Sequence, residues 1–241
     1  MRWPSVEEIT RLVPLPAGYA FEQLRADQTH ALAAKVAQWH PDIAVGAASC
    51  FLRPEFYDEK VFLAGSDGRP ESAERAERDI MVVLITHAGE MVGLFAFERE
   101  ADALTMYVKL LIVSPQHRNA KVGLHCLHGA ATLARACGAE FAYTMATLKT
   151  PHVQVALEHA GYTLLGFVPG YDREVVGSGQ VKRVFEAVYA KLLVGSDDIL
   201  RPSPENMTPA VRRLFEAMFP PSASFEVRAD ALQRNAASAA A

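Results

Sequence analysis

The stretch IVSPQHRNAKVGLHCLHGAATLARA, residues 112–136, passes from an apolar strand ending through a proline and a polar cluster directly into a helical pattern of small residues. Pro115 offers no donor to a sheet ladder, so the strand carrying Ile112 and Val113 ends there. From Val122 onward, Val122, Leu124, Cys126, Leu127, Ala130, Ala131, Leu133, Ala134 and Cys137 recur at helical spacing. They predict a buried helix that Gly138 terminates. A strand that hands over to a helix leaves the first helical amides without intrahelical partners, and with the helix dipole they suit an anion such as phosphate. His117, Arg118 and Lys121 add positive charge to the turn, Arg118 through a planar fork that matches phosphate oxygens. Gly123, without a side chain, lets a ligand approach the backbone. The same residues are equally compatible with an ordinary strand-turn-helix whose basic turn faces water.

Working outward, IMVVLITHAGEMVGLFAFERE (80–100) holds two apolar runs around His87, Ala88, Gly89 and Glu90, and predicts a hairpin whose turn uses the positive φ open to Gly89. ALTMYVKLLIVS (103–114) is a third strand, long enough for a sheet centre. Further upstream, YAFEQLRA (19–26) predicts a strand and DQTHALAAKVAQWHP (27–41) a helix capped by Asp27. The charged segment 69–79 predicts a surface loop. Downstream follow a strand (EFAYTMATL, 140–148), a helix led by Thr150 and Pro151 (152–160) and a strand (YTLLGFVPG, 162–170). VKRVFEAVYAKLL (181–193) fits a helix or a closing strand equally well. Residues 1–18 are punctuated by prolines and predict an N-terminal arm. Residues 194–241 predict a linker, a short amphipathic helix (PAVRRLFEAMF, 209–219) and a disordered tail. The main domain is then 19–193.

Composition narrows the function. A formal charge of −4 supplies no positive field for a nucleic-acid backbone, so nucleic acid is not expected as a partner. No run approaches the roughly 18 apolar residues of a membrane span. Three cysteines, Cys50, Cys126 and Cys137, lack metal or redox spacing, and no secretory signal leads the chain; a reduced, cytoplasmic protein is expected. His125, Cys126 and His128 lack the strong zinc spacings, so no metal is expected.

The run Val113, Ser114, Pro115, Gln116, His117, Arg118, Asn119, Ala120, Lys121, Val122, Gly123 resembles the acyl-CoA-binding signature of the GNAT superfamily of N-acetyltransferases, roughly V-x-P-x-Y/H-R-G-x-G-I/V-G. The element order and AGYTLLGF (160–167) agree with that family over about residues 19–193. The resemblance implies an α/β fold: a mixed, mainly antiparallel sheet flanked by helices and splayed near residues 111–113. It also implies that the backbone amides of Arg118, Asn119, Ala120, Lys121, Val122 and Gly123 bind the pyrophosphate of coenzyme A. Val113 would pair with the pantetheine arm like an added strand. The amide of Leu111, at the family's strand bulge, would stabilise the charge that develops on the thioester oxygen. Two departures stand out. Asn119 and Lys121 replace glycines of the signature, asparagine tolerating a left-handed backbone better than lysine. Leu157 occupies the position where the family often carries a tyrosine acid.

Tyr107, Lys109 and Tyr143 are the cleft-facing candidates for the proton transfers, with Tyr143 first for the missing acid; packing roles compete for each. Glu98, Glu100 and Asp102 could attract a cationic amine or simply be solvated. The GYDREV segment (170–175) predicts a loop that rims the acceptor pocket or pins a homodimer. The expected activity is transfer of an acyl group, most simply acetyl, from acetyl-CoA to an amine on a small molecule or peptide, without a covalent enzyme intermediate. A non-catalytic acyl-CoA-binding or regulatory module, and an interaction protein docking through its C-terminal helix, are the alternatives.

Overall fold

The structure, a computed structural model, describes residues 1–64, 72, 77–177 and 179–219. Most of the predicted 69–79 loop and the predicted tail lie outside the described residues. Among the described residues, eight strands form one sheet: β1 (Tyr19–Gln23), β2 (Val61–Phe62), β3 (Ile80–His87), β4 (Glu90–Glu100), β5 (Thr105–Val113), β6 (Phe141–Thr147), β7 (Thr163–Val176) and β8 (Gln180–Leu192). Their order is β1-β3-β4-β5-β6-β8-β7, with β2 beside β3. Only the β2–β3 and β5–β6 pairs are parallel, so the sheet is mixed and mainly antiparallel.

Two cores cover the sheet. On one face lie α1 (Val6–Leu12), α4 (Val122–Ala136) and α5 (His152–His159), packed over Val83, Phe95, Phe97 and Met106. On the other lie α2 (Thr29–Trp39) and α3 (Pro54–Lys60), packed over Val82, Leu84, Leu94 and Ile112. Coverage on both sides explains why β3 reads as an unbroken apolar run, buried from Ile80 through Thr86. The β3–β4 turn places both Ala88 and Gly89 at positive φ, 50° and 79°, as a two-residue hairpin with matching twist requires.

Within residues 1–18, Ser5 and Glu8 form a capping box that starts α1, and Ile9 and Val13 enter the core. Asp27 does not cap α2. A 3-10 turn over Ala26–Gln28 precedes the helix, and Asp27 pairs instead with Arg25 at 3.2 Å. The ambiguous 181–193 segment is strand β8, fixed by ladders on both sides that no local pattern reveals. GYDREV is not a loop but part of β7; a register shift between Val168 and Asp172 bends the strand there. At the C-terminus, α6 (Pro209–Met218) is capped by Thr208 and leaves Val211 and Leu214 exposed. Among the described residues no helix is long and apolar enough to cross a membrane.

Candidate functional site

The site begins where β5 leaves β6. Their parallel ladder runs from Thr105–Phe141 to Val108–Thr144 and then stops, with the Thr144 hydroxyl donating to the Val108 carbonyl at 2.9 Å. Across β5, Phe97 pairs with Val108 and Ala96 with Leu110, leaving Lys109 as the extra residue of a bulge. The bulge was expected at Leu111; it lies two residues earlier. Beyond it, Ser114 N donates to Val92 O at 2.8 Å, which fixes the alternation of the antiparallel ladder. Ser114, Ile112 and Leu110 therefore face β4 with their amides, while those of Val113 and Leu111 point away from β4 into the gap left by β6.

The strand ends at Pro115 in a 3-10 turn, Pro115–Ala120, which carries Arg118, Asn119 and Ala120. Such a turn directs its amides back along itself. Lys121 then takes the left-handed conformation, φ 60° and ψ 10°, as N-cap of α4. The lysine adopts the glycine-like geometry and Asn119 does not, at a cost of roughly 1–2 kcal/mol. His125 N is the first donor into the helix, to Lys121 O at 3.1 Å. The amides of Val122, Gly123 and Leu124 ahead of it have no intrahelical acceptor. Leu124 was not among the sequence candidates. A Cβ on Gly123 would lie 3.7 Å from Leu111 Cδ2, so these amides open directly beside the gap.

Arg118 binds the junction together. Its Nε donates to Val113 O at 3.3 Å and its Nη2 to Trp39 O at 3.1 Å, tying the end of α2 to the end of β5. Its fork is thus occupied by carbonyls rather than left open for phosphate. His117 Nδ1 and the Tyr19 hydroxyl share a hydrogen bond of 2.7 Å that anchors the same turn to β1.

A second group of side chains gathers on the α2 face of the sheet. Tyr107 and Tyr143 stack at 4.8 Å with their rings 12° apart, just before the strands part. The Tyr143 hydroxyl donates to Glu100 Oε1 at 2.9 Å, and Lys109 Nζ to Glu98 Oε2 at 2.6 Å. Burial first, and then Glu100, raises the Tyr143 pKa above that of a free phenol; burial does the same for Tyr107. Both stay protonated at neutral pH, and the Tyr143 proton is engaged by Glu100. Leu157, on α5, is fully buried in the core that α5 shares with α4.

Farther along this face the residues come from segments the sequence does not connect. Lys149, just after β6, bonds Asp42 Oδ2 at 2.8 Å and the Glu174 carboxylate. Asp172 Oδ1 accepts from Ala47 N at 2.8 Å and Arg173 N at 2.7 Å. Gly46 sits so close that a Cβ there would lie 2.2 Å from Arg173 O, and its φ of 88° belongs to glycine. This contact lays residues 41–47 over β7. His40, at the end of α2, has a pKa lowered mainly by burial and further by Arg118 and Lys149, against Asp42 and Glu174. Glu186 on β8 is only 7% exposed and has no hydrogen-bond partner among the described residues. Burial, then Glu174 and Asp172, push its pKa up to about 7 against the pull of Lys149.

Sequence reasoning missed His40, Asp42, Lys149 and Glu186 as members of this group. The one available signal is in 181–193: read as a strand, it puts Glu186 into the row Val184, Val188, Ala190. The histidine and cysteine candidates on α4 diverge. His125 Nδ1 lies 2.9 Å from Pro14 O, while Cys126 is fully buried with its thiol pKa raised by that burial. No group of three or more His, Cys, Asp or Glu among the described residues could hold a metal ion.

No family model and no curated protein sequence matches the chain. Its fold is shared with solved acetyltransferases. The ribosomal L7/L12 alpha-N-protein acetyltransferase RimL superposes with a TM-score of 0.53 at 13% identity, over 75% of this chain and 97% of that one. The microcin C7 self-immunity acetyltransferase MccE, solved with acetyl-CoA and AMP, gives 0.54 at 10% identity over 75% and 98%. The dodecameric spermidine N-acetyltransferase from Vibrio cholerae gives 0.55 at 10% over 73% and 95%. What the chain shares with these acetyltransferases is the fold.

Proposed function

We propose that this chain, built on a GNAT fold, transfers an acyl group, most simply acetyl, from coenzyme A to an amine by direct attack. The observation that carries this reading is the continuity of donors: Leu111 and Val113 amides face the β5–β6 gap, and the unpaired amides of α4 open onto the same gap across Gly123. The amides of Val122, Gly123 and Leu124 suit a diphosphate. Val113 N–H offers one edge to an extended, amide-bearing arm. Leu111 N–H is placed to stabilise an oxyanion on the thioester carbon, in a low-dielectric gap where one such donor is worth about 3–4 kcal/mol of barrier. Arg118 holds the loop rather than the phosphate.

The acceptor reaches the thioester from the face of Tyr107 and Tyr143. One observation favours a second reading, a non-catalytic acyl-CoA-binding module: Leu157 is buried and the Tyr143 proton is held by Glu100. Two measurements decide. Calorimetry with acetyl-CoA tests binding, and thiol release with a panel of amines tests transfer. Binding with release above background supports the enzyme; binding without release from any amine supports the module; no binding overturns both.

A further inference from the structure

We propose that Glu186 accepts the proton of the acceptor's ammonium group, and that the acceptor is accordingly a cationic amine seated between the Tyr107 and Tyr143 pair and the carboxylates of β7. This deepens the acyltransferase reading and rests on it.

The carboxylates of this face are unequally supplied with donors. Glu98 has Lys109, Glu100 has the Tyr143 hydroxyl, Asp42 and Glu174 share Lys149, and Asp172 takes two backbone amides. Glu186 lies on the same face with only 7% of its surface exposed, and among the described residues nothing donates to it. Its oxygens are not sealed from solvent as Gln23 Nε2 and the Tyr162 hydroxyl are, so a donor can reach them from the site. A ligand that brings such a donor gains a charge-assisted hydrogen bond, and the surrounding carboxylates select a cation.

Position agrees. Glu186 pairs with Thr147 across β6 and β8, two alternations from the Tyr143–Ala190 pair, so its side chain shares the Tyr143 face. Its charge acts on the Tyr107 phenol, at the last paired residues before the gap. The groups facing it are Tyr107 from β5, Lys149 from the end of β6, and Asp172 and Glu174 from β7. Lys149 is the one cation of this set, and it is already bonded to two carboxylates.

The step balances without a further reagent. R–NH3+ gives one proton to the Glu186 carboxylate, leaving R–NH2. The nitrogen lone pair forms the C–N bond to the thioester carbon. Collapse of the tetrahedral adduct breaks C–S, and the second nitrogen proton passes to the leaving sulfur. Glu186 then releases its proton to solvent.

The test compares wild type with Glu186→Gln, which keeps shape and removes the charge. The probes are n-butylamine, 1,4-diaminobutane and phenethylamine, all cationic at neutral pH. In wild type, kcat/KM is expected to rise with pH to a plateau near pH 7. In Glu186→Gln the rise disappears and kcat/KM at pH 7.5 falls by about 100-fold or more, while acetyl-CoA affinity by calorimetry is unchanged. Glu186→Asp, which retains a carboxylate, keeps the rise at a reduced rate; it also serves if the glutamine variant fails to fold by circular dichroism. Should wild type acetylate an amine while Glu186→Gln keeps its rate or its pH rise, or should the rise vanish only in His40→Gln, Glu186 is not the proton acceptor and the acyltransferase reading stands. If wild type releases no thiol with any of the three amines, both fall.

Discussion

Replacing Gly129 by alanine is expected to destabilise the protein although alanine is the better helix former. Gly129 lies in the middle of α4, where the exchange ordinarily gains about 1 kcal/mol. Here the new Cβ would sit 2.5 Å from Val13 Cγ1, 2.6 Å from Cγ2 and 2.8 Å from Cβ. Val13 cannot swing clear: its β-branched side chain is stiff about χ1, it is 1% exposed, and its amide is tied to Ile9 O at 2.8 Å. The end of α1 must retreat from α4 as a unit, and overpacking of this kind costs about 1–3 kcal/mol. With three atoms involved, one of them next to the backbone, the upper half of that range applies, and the net loss is about 1–2 kcal/mol. For a chain of this size that lowers the thermal midpoint by about 3–6 °C. Val13→Ala removes the two nearest atoms but keeps its Cβ at 2.8 Å, so in that background the loss from Gly129→Ala should shrink without vanishing, a coupling of about 1 kcal/mol. A Gly129→Ala protein that melts at or above wild type, or whose loss is unchanged beside Val13→Ala, would refute the packing of α1 on α4.

Three further outcomes are expected. Gly123→Ala should leave the melting midpoint unchanged or higher, since 3.7 Å to Leu111 is an ordinary contact, yet weaken acetyl-CoA in calorimetry; the bulkier Gly123→Trp should abolish binding in a protein that still folds by circular dichroism. Lys121→Gly should raise stability by about 1 kcal/mol in urea titration by relieving a left-handed lysine, and a loss would show that the lysine side chain, not the backbone, stabilises the turn. Because Glu186 in the folded chain holds its proton up to about pH 7 and an unfolded glutamate only to about 4.5, wild type loses stability as pH rises through that window, by at most roughly 3 kcal/mol. Glu186→Gln lacks this loss, so its advantage in melting midpoint should be larger at pH 8 than at pH 5; equal advantages at both would mean that the carboxylate is not buried without a partner.

The parts of the fold that were legible in the sequence are those set by local pattern. The hairpin at Ala88 and Gly89, the end of β5 at Pro115, and α4 with its glycine stop each depend on residues within one turn or one strand of each other. Elsewhere another element decides, or, at Asp27, a local competitor does. GYDREV is polar because β7 lies at the edge of the sheet and turns Asp172 and Glu174 toward the site, and a polar run with alternate functional residues reads as a loop. Periodicity in 181–193 satisfied two templates, and the choice lay with β6 and β7, which contribute ladders from outside the segment. Asp27 has the chemistry of a cap, but Arg25 lies two residues away and Gln28 already bonds the Arg25 amide at 3.0 Å.

The two halves of the site differ in the same way. The half proposed to face coenzyme A is made of backbone donors in one contiguous stretch, so a sequence with the right strand-turn-helix order announces it even where Lys121 stands in place of glycine: the geometry is demanded of the backbone, and Lys121 adopts it at φ 60°. The proposed acceptor half is made of side chains that meet only across the sheet. Lys149 finds Asp42 at a separation of 107 residues and Glu174 at 25; Tyr143 finds Glu100 at 43. No spacing rule reaches such distances. What does survive in the sequence is the violation of pattern, a glutamate in an inward row of β8. Burial of that carboxylate opposes folding, and a residue that breaks the local pattern at such a cost marks the place where the sequence departs from what the fold alone asks for.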